Sequence, residues 1–410
     1  MKTYLDKNVY EAALERIAYC FQEFDNVLVA FSGGKDSGVL LNLCYNYADE
    51  HGLLDKLTMY HLDYEAQYQM TTEYVTRTFL EQFPGIRKMW YCVPIKAQSA
   101  CALGEPYWTP WDAAKKKLWV RAMPENPYVV HEGNLDVPFR HGMVDYEFQD
   151  KLSRHFAKKR GTTAVMVGLR ADESLNRYAA VARGKKRRSY EGRKWITQTS
   201  AVTANVYPLY DWRVSDIWTA TARFGFDYNR LYDLLYQAGL TAGQMRVASP
   251  FNDCAQESLK LYKVIDPSNW ARMIGRVNGV NFTGLYGGTT AMGWKTIKLP
   301  PGHTWKSYYE FLLSTMDART AAHYNNILEK SKRYWMQGGT VDPGTADEVL
   351  AAYPLAAVTG KSGRYDGRDI VQFMGYPDDM PVSNFRQVPS YKRMCICIMK
   401  NDYFCRYAGF

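Results

Sequence analysis

The chain has 410 residues, of which 47% are hydrophobic and 23% charged, and its formal net charge is +9. This composition excludes a disordered chain and predicts one large domain with a smaller one. The basic surplus indicates anionic partners, a class that includes nucleotides, nucleic acids and acidic protein surfaces. Because no apolar run is long enough for a bilayer and the first ten residues lack an apolar signal core, we predict a cytoplasmic protein without a membrane partner.

The first part of the chain alternates helical and strand patterns. Short apolar runs, typical of buried parallel strands, occupy residues 27–31, 57–62, 88–94 and 164–168. Helical periodicity covers residues 8–24, 37–47, 71–83, 148–160, 214–224 and 231–238. This alternation predicts an α/β fold with a parallel sheet. Residues 96–140 interrupt it with three tryptophans and a run of lysines, and we interpret them as an insertion that covers the site.

The pattern changes after Pro250. Helical periodicity continues over residues 258–265, 270–277 and 308–332, whereas the glycine-rich residues 337–345 are interpreted as a linker or surface loop. We therefore predict two domains, residues 1–250 and a mainly helical region over residues 251–410.

A glycine-rich segment, Ser32-Gly33-Gly34-Lys35-Asp36-Ser37, directly follows the first predicted strand. Glycines let backbone amides approach a phosphate, the serine hydroxyls and Lys35 add donors, and the next helix contributes its positive N-terminal end. Asp36 suits an anion site if it holds Mg²⁺ that bridges phosphates. An ordinary strand-to-helix turn is the alternative. We call residues 32–37 the phosphate loop.

Two further segments accompany the phosphate loop. The first is Gly168-Leu169-Arg170-Ala171-Asp172-Glu173-Ser174-Leu175-Asn176-Arg177, and the second begins at Tyr207-Pro208-Leu209-Tyr210-Asp211-Trp212 and continues through Asp216-Ile217-Trp218 to Tyr228-Asn229 and Leu231-Tyr232-Asp233. Together the three resemble the PP-loop ATP pyrophosphatase superfamily, in its phosphoadenosine phosphosulfate (PAPS) reductase-like branch, whose relatives include DNA-phosphorothioation proteins. The tail from Lys392 to Phe410 resembles the immunoglobulin-binding regulator A sub-branch.

The resemblance implies a Rossmann-like adenine nucleotide alpha-hydrolase fold with the nucleotide at the carboxyl ends of the strands. It implies catalytic roles for Lys35, Asp36 and Arg170, with ATP and Mg²⁺ as cofactors and PAPS as an alternative ligand. Nucleotide binding is expected at Ser32, Gly33, Gly34, Lys35, Asp36, Ser37, Asp63, Gly168, Arg170 and Arg177. Two alternatives stay open: Asp63 suits ribose, a metal or a simple turn, and the arginines also suit salt bridges to Asp172 or Glu173.

The cysteines depart from the reductase pattern, because the Glu-Cys-Gly-x-His segment that supplies the reductase thiolate is absent. Cys395, Cys397, Cys405 and Cys254 are candidates for a thiol or metal site. Residues 395–398 read more simply as an apolar strand, so zinc or an iron–sulfur cluster is not expected.

The segment from Arg183 to Lys194 is strongly basic and is interrupted by Tyr190. Basic residues with aromatic neighbours suit nucleic acid, although a lid over a triphosphate or a solvated loop would have the same composition.

Three functions fit these features. The first is an ATP pyrophosphatase that adenylates a substrate, in sulfur transfer or nucleic-acid modification. The second is a sulfonucleotide reductase that uses an atypical thiol such as Cys405. The third is a non-catalytic nucleotide sensor in a regulatory or defence protein that contacts a partner protein.

Overall fold

A computed structural model describes residues 6–102, 104–182, 189–247, 249–252, 255, 258–287, 289, 297–363, 367–400, 402–406 and 408. The chain forms two compact units, one of residues up to 98 with residues 107–278 and one of residues 99–106 with residues 279–410. The division falls at residue 278 instead of the predicted 250, and residues 99–106 of the predicted insertion belong to the second unit. Within the described ranges, each helix is too short or too polar to cross a membrane.

The first unit is built on an eight-stranded sheet with the order β6-β3-β2-β1-β7-β10-β9-β8. Its strands, with a separate two-stranded ribbon of β4 and β5, are β1 Asn26–Ala30, β2 Leu57–Leu62, β3 Arg87–Cys92, β4 Ala97–Gln98, β5 Tyr107–Trp108, β6 Val129–His131, β7 Thr163–Val167, β8 Ser189–Tyr190, β9 Arg193–Gln198 and β10 Thr203–Val206. Neighbouring strands are parallel in the part of the sheet formed by β6, β3, β2, β1, β7 and β10. At the other edge, β9 pairs antiparallel with β10, and β8 pairs antiparallel with β9. The α/β prediction is confirmed.

Helices cover both faces of this sheet. They are α1 Val9–Glu23, α2 Lys35–Glu50, α3 Gln69–Glu81, α4 Asp145–Arg160, α5 Leu175–Ala182, α6 Val214–Phe224, α7 Leu231–Gln237, α8 Tyr262–Ile265 and α9 Pro267–Arg276. Successive side chains of a strand point to opposite faces, so Val27 and Val29 pack in one core with α1, α2 and α3, whereas Leu28 packs in a second core with α4. Burial on both faces explains the apolar run of β1, and β2 is buried along its whole length although it includes Thr58 and His61.

The second unit combines helices with a small sheet. Its elements are α10 Val280–Tyr286, α11 Trp305–Ser314, α12 Ala318–Gly338, β11 Gly339–Val341, α13 Pro343–Ala352, β12 Ala356–Lys361, β13 Asp369–Phe373 and α14 Tyr391–Met399. The sheet has the order β11-β13-β12 and is antiparallel. The mainly helical prediction for this region is confirmed.

Three local predictions in the second unit are wrong. Residues 395–398 lie within α14, where Ser390 caps the helix by accepting from the Arg393 amide at 3.3 Å. Residues 337–345 contain β11 and the start of α13 instead of a linker. Residues 308–332 span two helices, because Asp317 accepts from two amides and starts α12.

Candidate phosphate-binding site

The phosphate loop connects β1 to α2 at the carboxyl edge of the parallel strands. Gly33 has a φ of +76°, and a Cβ there would lie 2.9 Å from Val75 Cγ2, so the turn requires glycine. The Oγ atoms of Ser32 and Ser37 are 2.9 Å apart, and the Ser37 hydroxyl donates to the Gly34 carbonyl at 3.0 Å. The loop is therefore fixed by its own hydroxyls around the N-terminus of α2, where anions are favoured.

Charged side chains meet at the start of α2. Lys35 Nζ lies 3.2 Å from Asp36 Oδ2, and Arg170 Nε donates to Asp36 Oδ1. Arg170 also donates to Asp172, and only 3% of its side chain is exposed. The structure thus brings together all three residues that the sequence assigned to catalysis.

Gly168 makes this approach possible. A Cβ at this position would lie 2.9 Å from the Asp36 carbonyl carbon and 2.9 Å from the Ser37 amide nitrogen. Only glycine lets the segment that follows β7 rest directly on the backbone of α2. The candidate role of Gly168 is therefore to seat Arg170 beside the phosphate loop.

Residues distant in sequence close the loop from the other side. The Lys35 amide donates to the Tyr232 hydroxyl at 3.1 Å, and Lys35 Nζ donates to the Met245 carbonyl at 3.3 Å. Asn229 Nδ2 donates to the Gly33 carbonyl at 3.2 Å and to Thr71 Oγ1 at 2.9 Å. Sequence reasoning included Tyr232 only as part of the second family segment and did not include Met245, because nothing local to either residue indicates the contact.

Asp63 follows β2, the strand next to β1, and is fully buried. Its oxygens accept from Arg121 NH2 at 2.6 and 2.5 Å, and Oδ2 accepts from Trp90 Nε1 at 2.8 Å. Burial raises the pKa of the carboxyl, but the charges of Arg121 and His61 and the hydrogen bonds from Arg121 and the Glu65 amide together outweigh burial and hold that pKa below its usual range. These contacts favour a structural anchor for the insertion over a ribose or metal ligand.

Comparison with known proteins assigns the family. Residues 26–238 match the phosphoadenosine phosphosulfate reductase domain, and residues 239–410 match a domain of unknown function. The uncharacterized protein YbdN of Escherichia coli (strain K12) is 31% identical over 411 residues, which cover 99% of this chain and 91% of that protein. The chain belongs to the PAPS reductase domain family. The resemblance seen in the sequence is thereby confirmed.

Two enzymes are among the solved structures with some similarity to this chain. The PAPS reductase from Candida auris, a phosphate complex, is 16% identical over 57% of this chain and 93% of its own, with a TM-score of 0.32. The FMN adenylyltransferase of Candida glabrata is 14% identical over 56% of this chain and 62% of its own, with a TM-score of 0.31. The family assignment rests on the domain match and on the full-length relative.

The second arginine of the family segment, Arg177, lies on α5 with 51% of its side chain exposed. Its Nε is 3.7 Å from Glu173 Oε2, so it forms the salt bridge that was the alternative to nucleotide binding. In the basic segment, residues 183–188 lie outside the described ranges. Residues 189–198 form a hairpin of β8 and β9 instead of a loop.

The side chains around Asp36 do not form a binding site for a resident magnesium ion. Both of its oxygens are already paired with cations, Lys35 and Arg170. Across the described residues, no three histidine, cysteine, aspartate or glutamate side chains converge on one point. The arrangement instead fits a carboxylate that orients two cations toward an anion.

The cysteines of the second unit are buried. Cys395 Sγ donates to the Trp305 carbonyl at 3.4 Å, and burial raises the pKa of Cys395 to about 12. The neighbouring Cys397 and burial both raise the pKa of Cys405. Cys254 lies outside the described residues. Because the thiolate is the reactive form, these surroundings disfavour Cys395 and Cys405 as nucleophiles.

Proposed function

We propose that this chain binds ATP at the phosphate loop and adenylates an acceptor with release of pyrophosphate. One observation carries the proposal: Lys35 and Arg170 are held by Asp36 at the N-terminal end of α2, beside the glycine turn. Two oriented cations and a helix N-terminus at one point suit a polyphosphate better than a single phosphate. Membership of the PAPS reductase domain family supports an adenine nucleotide as the ligand.

Lys35 is bonded to a neutral acceptor in the structure. Only 4% of its side chain is exposed, and its ammonium donates to the Met245 carbonyl. A phosphate oxygen is a stronger acceptor for an ammonium than a carbonyl, because it adds the attraction between opposite charges to the hydrogen bond. Nucleotide binding would therefore exchange the Met245 contact for a phosphate contact.

The proposed reaction is a substitution at the α-phosphate. The acceptor nucleophile forms a bond to phosphorus, the bond from the α-phosphorus to the bridging oxygen breaks, and pyrophosphate leaves with the electron pair. Lys35, Arg170 and the backbone amides at the start of α2 neutralise the charge that develops on the leaving group. A sulfur or nitrogen nucleophile would then displace AMP from the adenylated acceptor, in sulfur transfer or nucleic-acid modification.

Thermal unfolding with ATP–Mg²⁺, PAPS and adenosine 5′-phosphosulfate tests the first step. A ligand at a hundred times its Kd stabilises the native state by about 2.7 kcal/mol. We expect ATP–Mg²⁺ to raise the Tm of the wild type but not of Lys35→Met, which removes the charge and keeps an unbranched apolar chain. Lys117→Met, at an exposed position, is the matched control and should respond like the wild type.

Pyrophosphate release then tests turnover. Release that depends on ATP, on Lys35 and on a sulfur- or nitrogen-containing acceptor supports the adenylating enzyme. Stabilisation by PAPS alone would contradict ATP as the nucleotide and favour the reductase alternative. ATP binding with no release under any acceptor would favour the sensor alternative, and no stabilisation by any of the three ligands would contradict the nucleotide site.

A further inference from the structure

An open cavity of about 1050 Å³ lies in the first unit, away from the phosphate loop. Its wall is formed by Lys116, by residues 119–127, by Val129 and His131 of β6, by Asn134 and by Arg272 of α9, whereas Lys117 does not line it. Pockets for small molecules typically measure about 300–1000 Å³, so this open cavity has room for a small organic ligand. Neither the phosphate-loop chemistry nor the family segments account for it.

The charges on the wall favour an anion. Lys116 and Arg272 are exposed cations, and Glu125 is the one carboxylate among the described lining residues. His131 Nδ1 accepts from the Gly133 amide at 3.1 Å, which leaves the Nε2 position of the ring for a proton and hence for donation. Arg121 also lines the cavity, but its charge is balanced by Asp63.

A fixed indole forms part of the wall. Trp119 packs edge-on against Trp111 with ring centroids 5.1 Å apart, and its Nε1 donates to the Asp112 carbonyl at 2.9 Å. Lys116 Nζ lies 5.7 Å from the Trp119 ring centroid, and Arg272 NH1 donates to the Trp119 carbonyl at 3.4 Å. One cation therefore lies over a half-buried ring whose nitrogen is hydrogen-bonded, and a second cation lies beside its backbone, an arrangement suited to a flat anionic ligand.

Buried ion pairs hold this wall in place. Arg121 is bound to Asp63, and the Val120 amide donates to Glu65 Oε1 at 2.9 Å, while Arg276 pairs with the same glutamate at 2.8 Å. Only 9% of the Arg121 side chain is exposed, and its Nε has no hydrogen-bond acceptor in the described part of the chain. The wall is thus tied to the buried carboxylates of Asp63 and Glu65.

We infer that this cavity binds a small anion with a flat ring, an aromatic or heteroaromatic carboxylate or phosphate. The cations select the negative charge, the indole of Trp119 selects the ring, and the ion pairs keep the site formed before the ligand arrives. The inference does not depend on the adenylation reaction, because the site can be measured without nucleotide.

Titration calorimetry with four probes tests the site. The probes are 2-naphthoate, 2-naphthyl phosphate, neutral 2-naphthylmethanol and the non-planar anion cyclohexanecarboxylate. We expect at least one naphthyl anion to bind. The neutral probe should bind at least about tenfold more weakly because it lacks the charge, and the non-planar anion should bind more weakly because it cannot stack on the Trp119 indole. The tighter of the two naphthyl anions identifies the carboxylate or the phosphate as the natural group.

Variants locate the binding. Lys116→Ala and Arg272→Ala change exposed positions and should each weaken the naphthyl anion about tenfold. Lys117→Ala removes the same charge outside the wall, and Lys35→Met alters the phosphate loop, so both should bind as the wild type does. Absence of naphthyl binding, equal affinity for the neutral or non-planar probe, equal loss in Lys117→Ala, or loss in Lys35→Met would overturn the inference.

Discussion

The variant Asp63→Asn distinguishes between two roles of Asp63, a structural anchor and a ligand-binding group. The carboxylate is fully buried and accepts from Arg121, from Trp90 and, at 2.8 Å, from the Glu65 amide. Asparagine keeps one acceptor oxygen, but it cannot balance the positive charge of Arg121. Only 9% of the Arg121 side chain is exposed. Loss of one partner of a buried ion pair costs about 3–5 kcal/mol, because the other charge stays buried without compensation.

The free energy of unfolding in urea, followed by circular dichroism, measures this cost at pH 7. We expect Asp63→Asn to lose about 3–5 kcal/mol and the double variant Asp63→Asn/Arg121→Met to lose less than the sum of the single losses. Asp150→Asn is the matched control. It breaks an exposed pair with Arg154 at 2.9 Å and should cost at most about 0.5 kcal/mol.

The acid dependence gives a second signature. The folded-state pKa of Asp63 lies below its unfolded value, so the stability contributed by its ionised form is complete above the ordinary carboxyl pKa of about 4 and is lost as pH falls through the folded value. The difference between wild type and Asp63→Asn should therefore shrink only in strong acid. A loss below about 1 kcal/mol at pH 7, with nucleotide binding abolished, would refute the anchor and restore Asp63 as a ligand group.

Three further predictions concern backbone fit, a second ion pair and thiol chemistry. Gly168→Ala should lower the free energy of unfolding in urea by about 1–3 kcal/mol and weaken nucleotide binding. The control Gly275→Ala lies in α9 with open space around it and should be neutral or stabilising by up to about 1 kcal/mol. Equal effects of the two variants would contradict the backbone contact at Gly168. Arg276→Met should cost about 3–5 kcal/mol by leaving buried Glu65 unbalanced, and a loss under 1 kcal/mol would show that the pair is dispensable. Burial raises the pKa of Cys101 from 9.0 to about 11. Alkylation of this thiol at pH 8, measured by peptide mass spectrometry, should therefore be about a hundredfold slower in the native than in the unfolded protein. Equal rates would contradict the burial of this thiol.

The central strands could be predicted because burial on both faces leaves a direct mark on the sequence. The run over residues 57–62 coincides with β2, and the other three runs differ from β1, β3 and β7 by one or two residues. The outer strands carry no such mark. In β9 only Ile196 is buried, so its polar sequence resembles a loop.

The phosphate loop was predictable because its chemistry is local, with glycines, hydroxyls and a lysine within six residues. Its closing contacts were not, since Tyr232 and Met245 lie 197 and 210 residues from Lys35 along the chain. Asp63 shows the same limit. The carboxylate at a strand end was visible, but its partner Arg121 lies in an insertion without periodicity.

The ion pair between Glu65 and Arg276 also has an evolutionary consequence. Glu65 lies in the part of the chain that matches the reductase domain, and Arg276 lies in the part that matches the domain of unknown function, although both belong to one compact unit. A recombination event at the junction between residues 238 and 239 would leave the buried Glu65 carboxylate without Arg276. It would also remove the Met245 carbonyl that accepts from Lys35. In this chain the two matched segments therefore depend on each other for stability, and neither can be exchanged alone without a compensating change in the other.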